Sequence, residues 1–121
     1  MATQDRNVSI HPYFKVRPGN LAAFKTLCEQ FVAASATEPK CLYYGFSFNG
    51  DEVLCREGYE GAEAVLAHLA NVGALLQEAL TIADLTRLEI HGMAEELAKL
   101  QEPLAAFNPA YFALEYGFRR G

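Results

Sequence analysis

Apolar and polar residues alternate near the start of the chain. Between residues 7 and 16 the apolar positions share one side of a predicted strand, and they are Val8, Ile10, Pro12, Phe14 and Val16. This period of two predicts a half-buried strand. Because proline cannot donate to a sheet ladder, Pro12 predicts a bulge or an edge-facing amide within it.

A helical period follows the break at "RPGN". Its apolar or small positions recur every three or four residues, which predicts an amphipathic helix. This helix is expected to end at "TEPK", because Pro39 disfavours the helical conformation of Glu38. The face directed to the core comprises Leu21, Phe24, Leu27, Cys28, Phe31 and Ser35.

Two runs of β-forming residues, "CLYYGFSF" and "EVLCREGY", flank the turn signal "NGD". This arrangement predicts an antiparallel hairpin. With "NG" as a two-residue loop, Cys55 is expected near Tyr44 and Cys41 near Gly58. The two strand cysteines are then not opposite each other, so the register predicts no disulfide between them.

The stretch "EGYEGAEAVLAHLANVG" predicts a second helix that begins near Gly61 and continues through "ALLQEAL", with a kink at Gly73 left open. Val65, Leu69 and Val72 form its apolar stripe. His68 falls one step off the edge of that stripe. We therefore expect its imidazole to face the groove between this helix and the sheet.

The strand-like "ADLTRLEIHG" completes the order βαββαβ. That order predicts an α+β, ferredoxin-like fold, with an antiparallel sheet and both helices on one face. Beyond it, "MAEELAKLQEPLAAF" predicts a short helix interrupted near Pro103, and "AYFALEYGF" predicts an extra strand. The extra strand needs a partner edge, either in a second subunit or by folding back within its own.

Length and charge narrow the class of protein. With 121 residues the chain fits one domain, 1–121, with a core at about 7–92 and a C-terminal extension at about 93–121. A net charge of -5 with scattered basic residues argues against nucleic acid as a partner. No apolar run approaches the roughly 18 residues of a membrane span, and no leader pattern is visible, so we expect a soluble cytoplasmic protein.

Three cysteines without C-x-x-C spacing predict reduced, buried thiols rather than a zinc or redox site. His11, His68 and His91 lie on three separate predicted elements, and no ligand motif joins them to the cysteines. The sequence therefore predicts no metal and no cofactor. Glu95 and Glu96 are expected on the solvated face of a short helix.

The run from Phe14 to Leu69 resembles the antibiotic biosynthesis monooxygenase family of dimeric α/β barrel proteins. The family pattern has a strand, "kpG", a helix with a central Phe, an E-P-G-C-x-x-Y turn and strand, then E-x-Y, an acidic loop and A-x-x-x-H on a helix. The positions that carry the resemblance are Gly19, Phe24, Glu38, Pro39, Cys41, Tyr44, Glu57, Tyr59, Ala64 and His68.

The resemblance implies a homodimer with facing sheets and a pocket in each subunit between sheet and helices. Some members oxidise polycyclic phenols or hydroquinones with dioxygen and no flavin, metal or other cofactor, and others degrade heme. The chain departs from the pattern at Lys40, where the family favours Gly, and it contains no tryptophan. The missing tryptophan argues against heme degradation, because the heme-degrading relatives rely on one in the pocket.

His68 is the candidate catalytic residue, since an imidazole near neutrality can remove a proton from a phenol or quinol. The alternative is a partly buried histidine bonded to a backbone carbonyl. His11 and His91 are expected at solvent or at a dimer interface. The predicted substrate-binding residues are Tyr44, Tyr59, Val65, Leu69, Val72 and Phe24.

Two classes of function are compatible with these observations. One is a cofactor-independent monooxygenase that acts on a small hydroxylated aromatic or quinol with dioxygen. The other is a non-catalytic dimer that binds an apolar metabolite or responds to stress. A pocket lined by aromatic residues with one convergent histidine favours the enzyme, whereas a core filled by Phe and Leu favours the second class.

Overall fold

Five strands form one open sheet in the computed structural model, which describes residues 2–121. The spatial order of the strands is β2-β3-β1-β4-β5. In chain order the elements are β1 (Val8–Val16), α1 (Leu21–Ser35), β2 (Cys41–Asn49), β3 (Glu52–Tyr59), α2 (Ala62–Ala79), β4 (Ala83–Gly92), α3 (Ala94–Ala98), a 3₁₀ turn (Ala105–Phe107) and β5 (Ala110–Ala113).

The first six elements confirm the predicted ferredoxin-like arrangement. Strand β1 lies at the centre of the sheet and pairs antiparallel with both β3 and β4. The predicted alternation of β1 is also confirmed, because every second residue from Val8 to Val16 is buried. That buried side faces α1 and α2, so both helices cover the same face of the sheet.

A bulge interrupts the pairing of β1 with β4 between Tyr13 and Phe14. It follows directly after Pro12, whose nitrogen has no hydrogen to donate. The bulge that Pro12 predicts is therefore present, one residue further along the chain.

The hairpin between β2 and β3 is confirmed, but its predicted register is wrong by two residues. Asn49 still pairs with Glu52, so the loop is Gly50–Asp51, and Gly50 adopts a positive φ of 63° there. Cys55 consequently pairs with Phe46 instead of Tyr44. A two-residue shift keeps every side chain on its predicted face, because the side-chain period of a strand is two.

Helix α1 buries five of the six predicted core positions, and Leu21 is the partly exposed one. Its aromatic residues form one half of the core, where Phe24 packs against Phe14 and Phe31 packs against Phe46. Helix α2 is a single 18-residue element that passes through Gly73 without a break. The kink left open at Gly73 is therefore not formed.

Glu96 contradicts its predicted place on a solvated face. Its side chain is buried, and Oε1 accepts the backbone N–H of Ala62 at 3.0 Å, while Arg6 and Lys99 bind the other oxygen. Glu95, its neighbour, is exposed as predicted. The carboxylate is buried because it satisfies an amide at the start of α2 that has no partner within the helix.

The C-terminal extension folds back on its own subunit. Strand β5 pairs in parallel with the outer edge of β4, from Glu89 with Ala110 to Gly92 with Ala113. It is shorter than the predicted nine residues, and only a single bridge follows, between Tyr116 and Ala2. Of the two open arrangements for this strand, the structure has the one within the subunit.

Candidate active site

A cleft runs between the sheet and the two long helices. Its cavity volume is about 70 Å³, so the cleft is narrow. Its walls come from β1, β2, β3, β4, α1, α2 and the C-terminal extension. They comprise Ile10, Pro12, Phe14, Phe24, Phe31, Tyr44, Phe46, Cys55, Glu57, His68, Leu69, Val72, Leu76, Leu85, Leu88, Ile90, Leu104 and Phe107.

Among these wall residues, Glu57 is the only carboxylic acid and His68 the only imidazole. Glu57 lies on β3, on the side of the strand that also carries Cys55 and Tyr59, so the alternation of the strand turns it inward. Its side chain is only 5 % exposed, and Tyr59 donates its hydroxyl hydrogen to Oε1 at 2.6 Å. Burial raises the pKa of the Glu57 carboxyl above its usual value, although His68 and Tyr59 oppose the shift.

His68 is held by a carboxylate from the other side. Nδ1 lies 3.0 and 2.9 Å from the two oxygens of Glu38, which follows the end of α1. Asn71, one turn further along α2, donates from Nδ2 to Glu38 at 2.8 Å and to the Ala34 carbonyl at 3.0 Å. Glu38 is therefore anchored to both helices, and the imidazole ring has one favoured orientation.

The geometry assigns different roles to the two ring nitrogens of His68. In the neutral ring, Nδ1 carries the hydrogen because it faces the carboxylate of Glu38, and this leaves Nε2 unprotonated. Nε2 lies 3.5 Å from Oε1 of Glu57. A basic nitrogen and a buried carboxyl group thus meet at the same wall of an apolar cleft, which is an arrangement suited to proton transfer.

Two tyrosine rings flank the imidazole. The ring centres of Tyr44 and Tyr59 lie 5.3 and 5.1 Å from that of His68. Burial and the nearby Glu57 raise the pKa of both phenols, so they remain protonated donors across the neutral range. Cys55 in the same wall also has a raised pKa, because it is buried and next to Glu57, and it is not an activated thiolate.

Four of the six predicted substrate-binding residues line the cleft, and they are Phe24, Tyr44, Leu69 and Val72. The other two do not line it. Tyr59 is fully buried and holds Glu57, and Val65 is fully buried in the core between α2 and the sheet. These two side chains lie behind the wall instead of forming it, and the substrate-binding role of all six residues stays a prediction.

His68 lies in the cleft wall as predicted, but its place on the helix differs from the prediction. It is 3 % exposed and lies within the buried stripe of α2, together with Val65 and Val72, while Leu69 is only half buried. The ring tolerates this position because Glu38 satisfies Nδ1. Its partner is a carboxylate and not the backbone carbonyl of the alternative hypothesis.

Sequence reasoning missed three polar residues of the site: Glu38, Glu57 and Asn71. Glu57 had a visible signal, since it stands on the apolar side of a strand between Cys55 and Tyr59. Glu38 was visible only as a position of the family pattern and received no role, because it meets His68 from 30 residues away in the chain. Asn71 is exposed, and only the position of Glu38 reveals its role.

The opposite face of the sheet carries the remaining histidines. The rings of His11 on β1 and His91 on β4 lie 4.3 Å apart, and His91 also packs against Phe112 of β5. Burial, and then the proximity of His91, lower the pKa of His11. Tyr13 and Arg56 lie on the same face, so this surface has a mixed aromatic and charged character.

Within residues 2–121, no group of three or more His, Cys, Asp or Glu side chains has the geometry of a metal site. All three cysteines are free thiols. In the same part of the chain, no helix has the length and apolar character needed to cross a membrane.

Comparison with known proteins places these features in context. A family model for antibiotic biosynthesis monooxygenase matches residues 7–75. The crystal structure of MupZ from Pseudomonas fluorescens has 46% sequence identity with a TM-score of 0.91, and the match covers 95% of each chain. No protein with curated annotation matches the sequence.

More distant structures share the fold alone. A proposed antibiotic biosynthesis monooxygenase from Nitrosomonas europaea is 16% identical with a TM-score of 0.67, over 75% of this chain and 93% of its own. Rv0793 from Mycobacterium tuberculosis is 20% identical with a TM-score of 0.63, over 69% of this chain and 91% of its own.

Proposed function

The chain belongs to the antibiotic biosynthesis monooxygenase family, and from that membership we propose that it is a cofactor-independent monooxygenase that oxidises a small hydroxylated aromatic or quinol with dioxygen. The observation that carries the proposal is the position of His68, whose Nε2 faces an apolar cleft while Glu38 holds Nδ1. A base in that position removes the proton of a bound hydroxyl group.

Proton removal is the step that such chemistry needs first. The resulting phenolate or quinolate is electron-rich and can reduce dioxygen itself, so the protein's task is to generate and shield that anion. Overall, the substrate loses two hydrogens and gains one oxygen atom, and the second oxygen atom leaves as water. Glu38 stabilises the imidazolium that forms when His68 takes the proton, as the carboxylate of a histidine–carboxylate pair does.

The walls of the cleft support an aromatic substrate. Phe24 and Phe46 meet edge to face at 6.4 Å, and Tyr44 meets Phe46 at 5.5 Å in the same manner. Such rings offer flat apolar contacts to a planar ligand and exclude water from the anion. An aromatic cleft with one convergent histidine is the arrangement that favours an enzyme over a solid, non-catalytic core.

Oxygen uptake with a panel of naphthohydroquinones and anthrones tests this proposal. We expect uptake above the uncatalysed rate for at least one compound, with formation of the anthraquinone from an anthrone or of a hydroxynaphthoquinone from a naphthohydroquinone, and of one water molecule per dioxygen consumed. His68→Ala is expected to lower that rate by about a hundredfold, the usual scale for loss of a general base. Full activity in the variant would refute the role of His68, and tight binding without uptake would favour the non-catalytic dimer.

A second candidate is proton-transfer catalysis without dioxygen, such as an isomerisation or the addition of a hydroxyl group. One specific observation favours it: Glu57 is a buried carboxyl group 3.5 Å from the base His68, where its protonated form is placed to act as a general acid, and burial raises its pKa. Oxidation of a quinolate needs an acid only for the oxygen atom that leaves as water, whereas an isomerisation or an addition needs it to complete the transfer itself. Product formation under argon at the aerobic rate would select this candidate.

We also propose a cytoplasmic homodimer in which two sheets face each other. The sheet face opposite the helices carries His11, Tyr13 and Phe112, of which Phe112 is 47 % exposed. A second copy of the same face would cover these rings. Strand β5 is paired within the subunit, so the dimer is expected to rest on the face of the sheet and not on exchange of this strand.

A further inference from the structure

We propose that Glu38, His68 and Glu57 form a proton relay, in which Glu38 exchanges protons with solvent and the His68 imidazole carries them to and from Glu57 in the cleft. This inference rests on the proposed function, because it assigns a proton route to the same acid–base site. It adds a role for Glu38 beyond holding the ring, since Glu38 becomes the point at which the site communicates with water.

Burial along the three side chains supports the direction of this route. The side chain of Glu38 is 12 % exposed, whereas those of His68 and Glu57 are 4 % and 6 % exposed. Glu38 is therefore the most accessible of the three, and it lies at the end of the chain of contacts furthest from the cleft. Glu57 lies at the opposite end, where a bound substrate meets the wall.

Contact distances make the route continuous. Nδ1 of His68 is within 3.0 Å of both Glu38 oxygens, and Nε2 is 3.5 Å from Oε1 of Glu57. The longer gap closes to hydrogen-bond length with a movement of about half an ångström. Tyr59 holds Glu57 at one end of the route and Asn71 holds Glu38 at the other, so both carboxyl groups remain in place.

Proton movement through the ring balances at each step. In the outward direction the O–H bond of Glu57 breaks and an Nε2–H bond forms on His68. The Nδ1–H bond then breaks and an O–H bond forms on Glu38, which releases that proton to water. The inward direction reverses these steps, and no electrons enter or leave the site.

The cleft itself offers a competing route, since its mouth is open. A bound substrate fills that route, whose lining side chains other than Glu57 and His68 are nearly all apolar. Glu38 does not line the cleft, so the relay through it stays available when the cleft is filled. A site that must regain its proton while a ligand is bound therefore depends on Glu38.

Infrared spectroscopy after a rapid pH change tests the relay without any knowledge of the substrate. The carbonyl band of the protonated Glu57 carboxyl group is identified by its loss in Glu57→Gln. Its rate of appearance is then measured in the full-length protein under argon with naphthalene added as a probe of the apolar cleft, because naphthalene has no hydroxyl proton of its own. Glu38→Gln keeps the size of the side chain but cannot carry a proton, so we expect the rate to fall about tenfold or more.

Glu60→Gln is the matched control, because Glu60 is an exposed carboxylate beyond the end of β3 and outside the network. Its rate should equal that of the native protein. Glu38→Asp, which retracts the carboxylate from Nδ1, should also slow the reaction, and it replaces Glu38→Gln if that variant does not fold. An unchanged rate in the folded Glu38 variant would overturn the relay.

The relay and the proposed function fail in different ways. If no Glu57 carbonyl band exists at any pH where the protein is folded, the acid of the site is absent and the relay has nothing to carry, while oxygen uptake through His68 is still measurable. If the band exists and its rate does not depend on Glu38, only the relay is overturned.

Discussion

Both carboxylate oxygens of Glu38 lie within 3.0 Å of Nδ1 of His68, although the two residues are 30 positions apart in the chain. This contact joins the end of α1 to the middle of α2. It fixes the ring so that Nε2 faces the cleft. The hydrogen bond also offsets the free-energy cost of burying the polar ring of His68.

His68→Ala is expected to change both stability and activity. The variant leaves a gap in the buried stripe of α2 and removes the partner of Glu38, so it should lower the free energy of unfolding by about 1 to 3 kcal/mol. Urea unfolding measures this loss, with Gln77→Ala at an exposed position of α2 as the control. A large loss of stability without any change in turnover or ligand binding would make His68 a purely structural residue.

Glu57→Gln is expected to stabilise the protein progressively as the pH rises. Because the folded pKa of Glu57 is raised, its contribution to stability is fully present below the unfolded value of about 4.3 and is lost as the pH rises through the folded pKa. The glutamine variant lacks this loss. Urea unfolding between pH 5 and pH 8 compares the two proteins, with Glu60→Gln as the control; equal slopes for both variants would assign the effect to surface charge.

Glu96→Ala should destabilise the protein much more than Glu95→Ala does. Glu96 accepts the Ala62 amide at the start of α2, and this bond holds the pKa of its carboxyl below the usual value. We expect a loss of about 1 to 3 kcal/mol at pH 7 for Glu96→Ala and within about 0.5 kcal/mol for Glu95→Ala.

The same bond gives Glu96 a predictable pH dependence. A lowered folded pKa means that the stabilisation is present above the unfolded value and is lost as the pH falls through the folded one. The difference between Glu96→Ala and the native protein should therefore shrink in acid. A difference that stays constant down to the acid unfolding transition would contradict this role.

Tyr13→Glu is expected to separate the homodimer into folded monomers, because a charge on the open sheet face loses its hydration when a second sheet covers it. Sedimentation equilibrium at micromolar concentration measures the mass. Val32→Glu, at an exposed position of α1, is the matched control and should remain dimeric. A native protein that is monomeric at this concentration would remove the proposal.

Protein purified from cells is expected to be colourless and free of stoichiometric metal. The three histidines lie on β1, α2 and β4, and His68 is already occupied by carboxylate oxygens. Elemental analysis and an absorption spectrum test this expectation. A flavin or heme band, or one metal ion per chain, would contradict it.

Periodicity was sufficient to predict β1 and α1 because each buries one regular face, whereas β2, which buries no residue fully, followed from its β-forming residues and the turn signal. The alternation that ends at Val16 and the stripe from Phe24 to Phe31 both reappear as buried residues. The hairpin register was not predictable in the same way, because "NGD" allows two loops and both keep the same faces. Only the paired backbone of Asn49 and Glu52 separates them.

The candidate site was only partly predictable from the sequence. The spacing of α2 placed His68 near the cleft, but Glu38 and Glu96 exert their effects through contacts between elements that are distant in the chain. Amphipathic patterning treats every carboxylate as a solvated residue. It therefore misses those that are buried because they satisfy a ring nitrogen or a helix amide.

Through Glu96 and the 3₁₀ turn after it, the last thirty residues contribute to the candidate site. The carboxylate secures the first turn of the helix that carries His68, and Leu104 and Phe107 close one wall of the cleft. A chain that ends at Gly92 would therefore lack the bond that stabilises the start of α2, which carries His68, and one wall of the cleft would be missing. A smaller side chain at Phe107, which lines the cavity, would widen the cleft and leave the Glu96 carboxylate in place.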